Sequence, residues 1–261
     1  MACRRREVVA RAALVAAALI GTACNAILGP SAPDANWHVY DSVHFSLYAR
    51  PNSFAELNAS RLADVLEDQY THTLGVLDVR YGGRVSGFLY QSPGDGGYES
   101  GRSGTAYPDT GAFGAVCTPP LDESLFSMLS HEANHVLIRG ALGHPGTHFV
   151  NEGLATAVRS ERYHPFGRHF IYAWTKSHRA QLPSLADLSA DDQWTSRPQE
   201  ITYTTSASFL AYLLDIYGPQ PLKQIYNARS SEFADRIRSA YGKSLQDLEA
   251  DWLRFCADWT G

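Results

Sequence analysis

The chain of 261 residues has little charge, and its charge is mainly acidic. Charged residues make up 19% of the sequence, and the dense basic run lies at residues 4–6. The formal net charge is −5; removing residues 1–23 would take away four arginines and one glutamate, a change of −3 that gives −8. Since nucleic-acid binding relies on clustered Lys and Arg, we expect no nucleic-acid partner.

Several sequence motifs are also missing. No cysteine pair has zinc-ribbon spacing, no Gly-Lys-Ser/Thr follows the glycine-rich stretch at 92–111, and no internal repeat stands out. These absences argue against a zinc ribbon, a phosphate-binding loop and a repeat protein. The hydrophobic content of 44% instead indicates a packed globular core, and the length suits one large domain or two small ones.

Residues 1–24 differ from the rest of the chain. Arginines come first, an alanine- and leucine-rich stretch follows, and small residues end the segment. This layout is typical of an export signal, and the uncharged run at 12–23 is too short to cross a bilayer as a mature helix. A buried N-terminal helix is the alternative interpretation.

Two details refine the export signal. Residues 5–9 resemble the twin-arginine pattern of bacterial export signals, and residues 21–24 resemble a lipobox ending at Cys24. Gly21 departs from the leucine that is usual in a lipobox, so plain cleavage near Ala23 is the alternative to lipidation. We therefore expect a protein exported from a bacterial cytoplasm, either secreted or attached to a membrane of the cell envelope through a lipid on Cys24.

Four cysteines are present, and two of them, Cys3 and Cys24, belong to the signal segment. An oxidising compartment would allow the other two, Cys117 and Cys256, to form a disulfide. Two buried free thiols are the alternative, because separation in sequence says nothing about distance in space.

The remaining sequence predicts a short linker at 25–36 and one α+β domain at 37–261. In residues 37–139 we expect a small mixed sheet with one helix, followed by a candidate active-site helix. Ser53 and Glu56 form a predicted capping box, Asp122 is a predicted N-cap, and Gly140 is the predicted end of the active-site helix. Residues 140–261 form a predicted helical half.

The predicted strands lie within 37–49, 84–91 and 112–118, and a long loop or lid is predicted at 92–111. The predicted helices span 53–74, 122–139, 151–162, 168–179, 202–217, 219–228, 232–241 and 244–259.

The stretch from 131 to 135 carries the main chemical signal of the sequence. His131 and His135 are four residues apart, so a helix would place both imidazoles on one face, where they could bind one zinc ion. Glu132 would lie beside the metal and act as a general base on its water. The alternative is an ordinary pair of surface histidines that bind no metal.

A catalytic zinc site needs a third protein ligand, and the downstream candidates are His144, His148 and Glu152. A metzincin would need glycine at 138 and histidine at 141, but Ile138 and Ala141 occupy those positions, which excludes that class. Asn-Glu-Gly at 151–153 opens a predicted helix that could return past the first and aim Glu152 at the metal. Alternatively, Glu152 only occupies the N-terminus of this helix, where the helix dipole favours an acidic side chain.

The pairing of HEANHVL with FVNEGLAT resembles the gluzincin metallopeptidases, especially the bacterial peptidase-MA-like proteins; thermolysin and aminopeptidase N share the plan. The resemblance implies a zincin-like fold, one Zn²⁺ per chain, and a peptide or protein substrate. It also implies that His131, His135 and Glu152 are the metal ligands and that Glu132 is the general base. Thr156 departs from thermolysin, which has an aspartate there, so support of a ligand histidine from this position is not implied.

Two further expectations concern the cleft. Gluzincins commonly add a tyrosine or histidine that stabilises the oxyanion, and Tyr203 is the candidate; a tyrosine at the edge of the core is the alternative. Zincins also place an edge strand before the active-site helix, where a peptide can add as a further strand. Residues 112–118 lie in the right place, although they could equally form an internal strand.

The sequence thus predicts a secreted or lipid-anchored zinc metallopeptidase. The alternatives are a non-catalytic binding module on a zincin scaffold and a structural envelope lipoprotein with a vestigial site. A zinc hydrolase acting on cell-wall peptides is a variant of the first prediction.

Overall fold

The structure, a computed structural model, describes residues 36–96, 103–162 and 167–260. The predicted export signal, nearly all of the linker, and Cys3 and Cys24 lie outside these ranges. Among the described residues, no helix is both long enough and apolar enough to cross a membrane.

A five-stranded mixed sheet forms one part of the molecule. Its strand order is β1-β2-β3-β5-β4, with β2, β3 and β5 parallel and the two outer strands antiparallel to their neighbours. The helices follow as predicted for an α+β chain, with most of them in the second half. The strands are β1 (His38–Asp41), β2 (Phe45–Ala49), β3 (Val85–Tyr90), β4 (Gly104–Tyr107) and β5 (Ala112–Val116).

Eleven α-helices occur in the described parts of the chain. Two of them, Glu123–Leu142 and His148–Ala157, carry the candidate site. The helices are α1 (Phe54–Leu57), α2 (Ala59–Leu77), α3 (Glu123–Leu142), α4 (His148–Ala157), α5 (Arg168–Ser177), α6 (Leu185–Leu188), α7 (Asp191–Thr195), α8 (Gln199–Tyr217), α9 (Pro219–Ile225), α10 (Phe233–Tyr241) and α11 (Leu245–Asp258).

The predicted Asp122 cap is confirmed, and the predicted capping box is confirmed in its Ser53 half, since the Glu56 carboxylate accepts from the Asn52 amide and the Ser53 amide donates to the Arg50 carbonyl. Ser53 Oγ accepts a hydrogen bond from the Glu56 amide at 3.1 Å, and Asp122 caps α3 by accepting from the amides of Ser124 and Leu125. The predicted helix at 53–74 is nevertheless split at Asn58, where the single turn of α1 ends and the long α2 begins.

The predicted end of α3 at Gly140 is wrong. The helix continues to Leu142, and Gly143, at φ +84°, terminates it. Gly140 lies inside the helix, and the Tyr81 ring packs so closely against it that a Cβ at this position would lie 2.2 Å from Tyr81 Cε2. The glycine therefore provides room for a neighbouring ring.

The prediction of a loop throughout 92–111 is also wrong in its second half. This stretch contains β4 and a 3₁₀ turn at Pro108–Thr110. Residues 112–118, for which an edge and an internal position were both open, contain β5, which lies between β3 and β4. The edge strand next to the candidate active-site helix is therefore β4.

Two large hydrophobic clusters fill the molecule. One lies between the sheet, α2 and the buried face of α3; the other lies within the helical half around α4 and α8. Cys117 belongs to the first cluster and Cys256 to the second, and both are buried free thiols. Of the two alternatives for these cysteines, the structure shows the free thiols.

A buried polar network joins α2, α3 and α4. Asn134 on α3 donates from Nδ2 to the Ala155 carbonyl at 2.8 Å, and its Oδ1 accepts from Thr73 Oγ1 at 2.7 Å and Gln69 Nε2 at 3.1 Å. Gln69 also donates to the Val158 carbonyl at 2.8 Å. Because every member is buried and paired, the network fixes the three helices relative to one another.

We expect Asn134→Ala to destabilise the fold by about 2–3 kcal/mol, because it leaves several buried groups without their partner. Urea unfolding of the chelator-treated protein measures this loss. Asn58→Ala is the matched control: it removes one half-buried bond to the Phe54 carbonyl and should cost about 1 kcal/mol or less. Equal losses in the two variants would contradict the importance of the network.

Candidate metal centre

The helix α3 presents His131, Glu132 and His135 to a cleft. The two histidines lie one turn apart, and their Nε2 atoms are 3.0 Å from each other. Their side chains are largely buried, with exposed fractions of 15% and 8%. The interpretation of an ordinary pair of surface histidines is therefore wrong, because both rings lie largely buried at the base of the cleft.

The third member of the group, Glu152, comes from α4. Thr147 caps this helix by accepting from the Val150 amide at 3.3 Å, so α4 begins at His148 rather than at the predicted residue 151. Glu152 is then the fifth residue of the helix, beyond its first turn. The alternative that it only decorates a helix N-terminus is wrong, and its Oε2 instead lies 3.2 Å from Nε2 of both histidines.

A glycine allows α4 to approach the helix behind it. A Cβ at Gly153 would lie 2.7 Å from the Cβ of Ser206 on α8, closer than real Cβ atoms come. The Asn-Glu-Gly sequence thus combines an acidic side chain facing the cleft with a residue that permits close packing next to it. This packing also brings α8, which carries Tyr203, to the same cleft.

The charges within the group are strongly coupled. Burial lowers the pKa of His131 to about 4, which keeps its ring neutral. Burial would also lower the pKa of His135, but the hydrogen bond and charge of Glu152 outweigh this and raise it. For Glu152, burial opposes ionisation, yet hydrogen bonds from His131 and His135 bring its pKa well below the usual range. One carboxylate anion thus faces two imidazoles.

These three side chains form a group that could hold a metal ion. Their donor atoms form a triangle with sides of 3.0, 3.2 and 3.2 Å. Tetrahedral zinc, with bonds of about 2.0–2.1 Å, would separate its ligand atoms by roughly 3.3 Å. Two imidazole nitrogens and one carboxylate oxygen suit zinc better than calcium or magnesium, which prefer oxygen ligands.

Neighbouring side chains support the ligands. Thr156 Oγ1 lies 3.3 Å from His131 Nδ1, so with a metal ion at Nε2 the ring would carry its proton on Nδ1 and donate it to Thr156. Asn151 donates from Nδ2 to Glu152 Oε1 at 3.0 Å, on the carboxylate oxygen that does not face the histidines. Position 156 therefore does contact a candidate ligand histidine, through a hydroxyl group.

The group opens into a cleft of about 820 Å³. The edge strand β4 forms one wall, with Glu132 against it: a Cβ at Gly104 would lie 2.7 Å from Glu132 Oε1. Glu132 lines the cleft but is not a member of the three-residue group. A carboxylate therefore lies beside the candidate metal position without occupying it.

The structure places the other candidate residues as follows. Tyr203 lines the cleft, with its ring centroid 5.8 Å from that of His131. His144 is exposed and lies 3.2 Å from Arg139, and His148 is an exposed first residue of α4. Neither histidine belongs to the three-residue group.

Two features of the cleft escaped the sequence analysis. The strand β4 was hidden in the glycine- and serine-rich stretch, where the single signal was the Thr-Ala-Tyr at 105–107. Arg159, which lines the cleft beyond the end of α4, was hidden because the helix was predicted to run to residue 162. The alternation of small and aromatic residues before Pro108 could have revealed the strand.

Comparison with known proteins adds no family. No family model matches the chain, and a search of curated proteins returns no match. The gluzincin resemblance therefore rests on the residues and geometry described above.

We expect His131→Ala, His135→Ala and Glu152→Ala each to weaken zinc binding by more than about 100-fold, since loss of a supporting residue alone costs 10- to 100-fold. Competition with a fluorescent chelator measures the affinity, and metal analysis gives the stoichiometry. His148→Ala is the control, because its ring is exposed on the same helix as Glu152. Zinc affinity unchanged by the three ligand variants would exclude a metal centre here.

Proposed function

We propose that the protein is a zinc-dependent metallopeptidase that hydrolyses peptide bonds in its cleft. The observation that carries this proposal is the position of Glu132, next to the His131–His135–Glu152 group but outside it. In a structural metal site, protein ligands fill every coordination position, so a further carboxylate beside the metal would have no role. An open cleft with an adjacent base suits hydrolysis.

The residues of the cleft would have separate roles in peptide hydrolysis. His131, His135 and Glu152 would hold the zinc ion, which when bound activates a water molecule and polarises the substrate carbonyl. Glu132 would take a proton from the attacking water and deliver it to the amine that leaves. Tyr203 lines the cleft beside His131, where its hydroxyl would donate a hydrogen bond to the negative charge that develops on the carbonyl oxygen.

The substrate would bind along β4. This strand pairs with β5 on one side, and it is the last strand in the order of the sheet. An extended peptide can add to such an edge through main-chain hydrogen bonds, which gives affinity with little dependence on sequence. The proximity of Gly104 and Glu132 places this edge beside the proposed base.

The location of the enzyme is proposed from the sequence. The pattern of residues 1–24 favours export to a bacterial cell envelope, either free or through a lipid on Cys24. The non-catalytic binding module and the structural lipoprotein are the competing functions, and both predict that Glu132 is dispensable.

We expect Glu132→Gln to retain zinc and lose peptide hydrolysis by about 10²- to 10⁴-fold, because the amide cannot accept the proton of water. Cleavage of a proteome-derived peptide mixture by the zinc-loaded protein, read by mass spectrometry, measures this. Glu123→Gln is the control, because Glu123 is exposed in the first turn of the same helix. If zinc binds but the unmodified protein cleaves no peptide, the peptidase proposal fails.

A second experiment tests the edge strand. Gly104→Ala places a methyl group against Glu132 Oε1, and the carboxylate has to move because it is the flexible partner. We expect hydrolysis to fall by about 10- to 100-fold while zinc affinity stays the same, since small misplacements of a catalytic group are costly. Gly94→Ala is the control, as the nearest of the surrounding atoms lies 3.9 Å from its added Cβ. Parallel loss of zinc would show that the substitution disturbs the ligands.

A further inference from the structure

Arg159 is a cationic side chain in the wall of the cleft that the proposed chemistry does not use. It follows α4, and its Nε donates to the Thr156 carbonyl at 3.1 Å. One of its terminal nitrogens, Nη1, donates to Ser127 Oγ on α3. Within the described ranges, no carboxylate lies at ion-pairing distance from the guanidinium, and no group accepts a hydrogen bond from Nη2.

The charge of Arg159 is therefore poorly compensated. Burial lowers its pKa to about 10, and no anion among the described residues raises it again. The side chain still carries its charge at neutral pH. Since a cation removed from water is unfavourable without an anionic partner, an anion from outside the chain would complete the site.

Arg139 provides a contrast within the same cleft. It lies one turn after His135, and its Nη2 is 2.7 Å from Asp109 Oδ1. Arg159 contacts Ser127, which lies one turn before His131. Arg139 and Ser127, the partner of Arg159, thus lie on opposite sides of the two histidines along α3, each about 6 Å in helix rise from the nearer one, and the Asp109 carboxylate compensates Arg139.

The direction of β4 identifies which side of a peptide would reach Arg159. Gly104, at the start of β4, lies against Glu132, and Asp109, just after its end, pairs with Arg139. The strand therefore runs in the same direction as α3. A peptide paired antiparallel to β4, the more frequent and slightly more stable arrangement, would run from the Arg139 side to the Arg159 side. Its C-terminal part would lie towards Arg159.

We propose that Arg159 binds a carboxylate on the C-terminal side of the scissile bond, so that the substrates are peptides with an anionic leaving portion. This inference rests on the proposed peptidase function. The carboxylate comes either from the C-terminus of a short leaving portion or from an aspartate or glutamate side chain near the cleaved bond. In both cases the guanidinium forms a paired, charge-assisted hydrogen bond with the planar anion.

Binding to the zinc-loaded Glu132→Gln variant tests the inference without requiring hydrolysis. The probes are N-acetylated peptides of two to five residues, each made as the free acid, as the C-terminal amide, and as an amide with glutamate at the last position. We expect at least one anionic form to bind about 10- to 100-fold more tightly than the neutral amide of the same length, as measured by calorimetry. The better of the two anionic forms identifies the source of the carboxylate.

Variants of the arginines show whether this preference belongs to Arg159. Introduced into the Glu132→Gln background, Arg159→Gln should abolish the preference and leave binding of the neutral amide nearly unchanged. Arg159→Lys should retain part of the preference, because the charge remains. Arg139→Gln is the matched control and should leave the preference intact. A loss of neutral-amide binding or of zinc in Arg159→Gln would indicate a structural role and would overturn the inference.

The remaining outcomes separate the two proposals. Equal binding of acids and amides at every length, or no binding of any peptide, would overturn the role of Arg159. If the unmodified protein also cleaves neutral peptides as fast as anionic ones, the peptidase proposal stands without the inference. If anionic peptides bind preferentially but none is cleaved, the carboxylate site stands and the peptidase proposal fails.

Discussion

The hydrogen bond from Asn134 to the Ala155 carbonyl is the constraint on which the candidate site depends. Asn134 lies between the two histidines along α3, and Ala155 lies three residues after Glu152 on α4. The bond therefore fixes the two helices to each other within one turn of all three ligands. Gln69 and Thr73 hold the same amide from α2, so the geometry of the site is tied to the packing against the sheet. Candidate ligands held in this way are arranged in advance, which would favour the binding of a metal ion.

The cleft also has a definite electrostatic order. A buried carboxylate faces two imidazoles at its centre, and an arginine paired with aspartate lies to one side. On the other side lies Arg159, which has no carboxylate partner in the described part of the chain. Interactions between charged groups are strong in such a partly buried site, because little water screens them. An anionic group would consequently be attracted to one end of the cleft. This asymmetry gives the cleft a direction that matches the direction of its edge strand.

Much of the local structure was predictable from the sequence. The helix at 131–135 follows from its flanking apolar residues and the Asp122 cap, and the α+β order follows from strands in the first half and helices in the second. The predictions failed where a residue has a tertiary role that its type conceals. Gly140 looked like a helix end but makes room for Tyr81, and β4 looked like a loop because a four-residue edge strand with one glycine has little apolar character. Two short helices, α6 and α7, were missed since single turns carry no periodicity.

For the site itself, the sequence determined the identity of the donors and the pairing of His131 with His135, because helical spacing alone sets that pairing. It could not decide whether Glu152 joins them, as this depends on where α4 begins and on how closely it packs against α8 at Gly153. The tertiary structure decided this, and it also placed Glu132 against β4 and Arg159 in the cleft wall. The physical reason is that spacing along one helix is fixed by its hydrogen bonds, whereas contacts between helices arise from packing over long sequence separations.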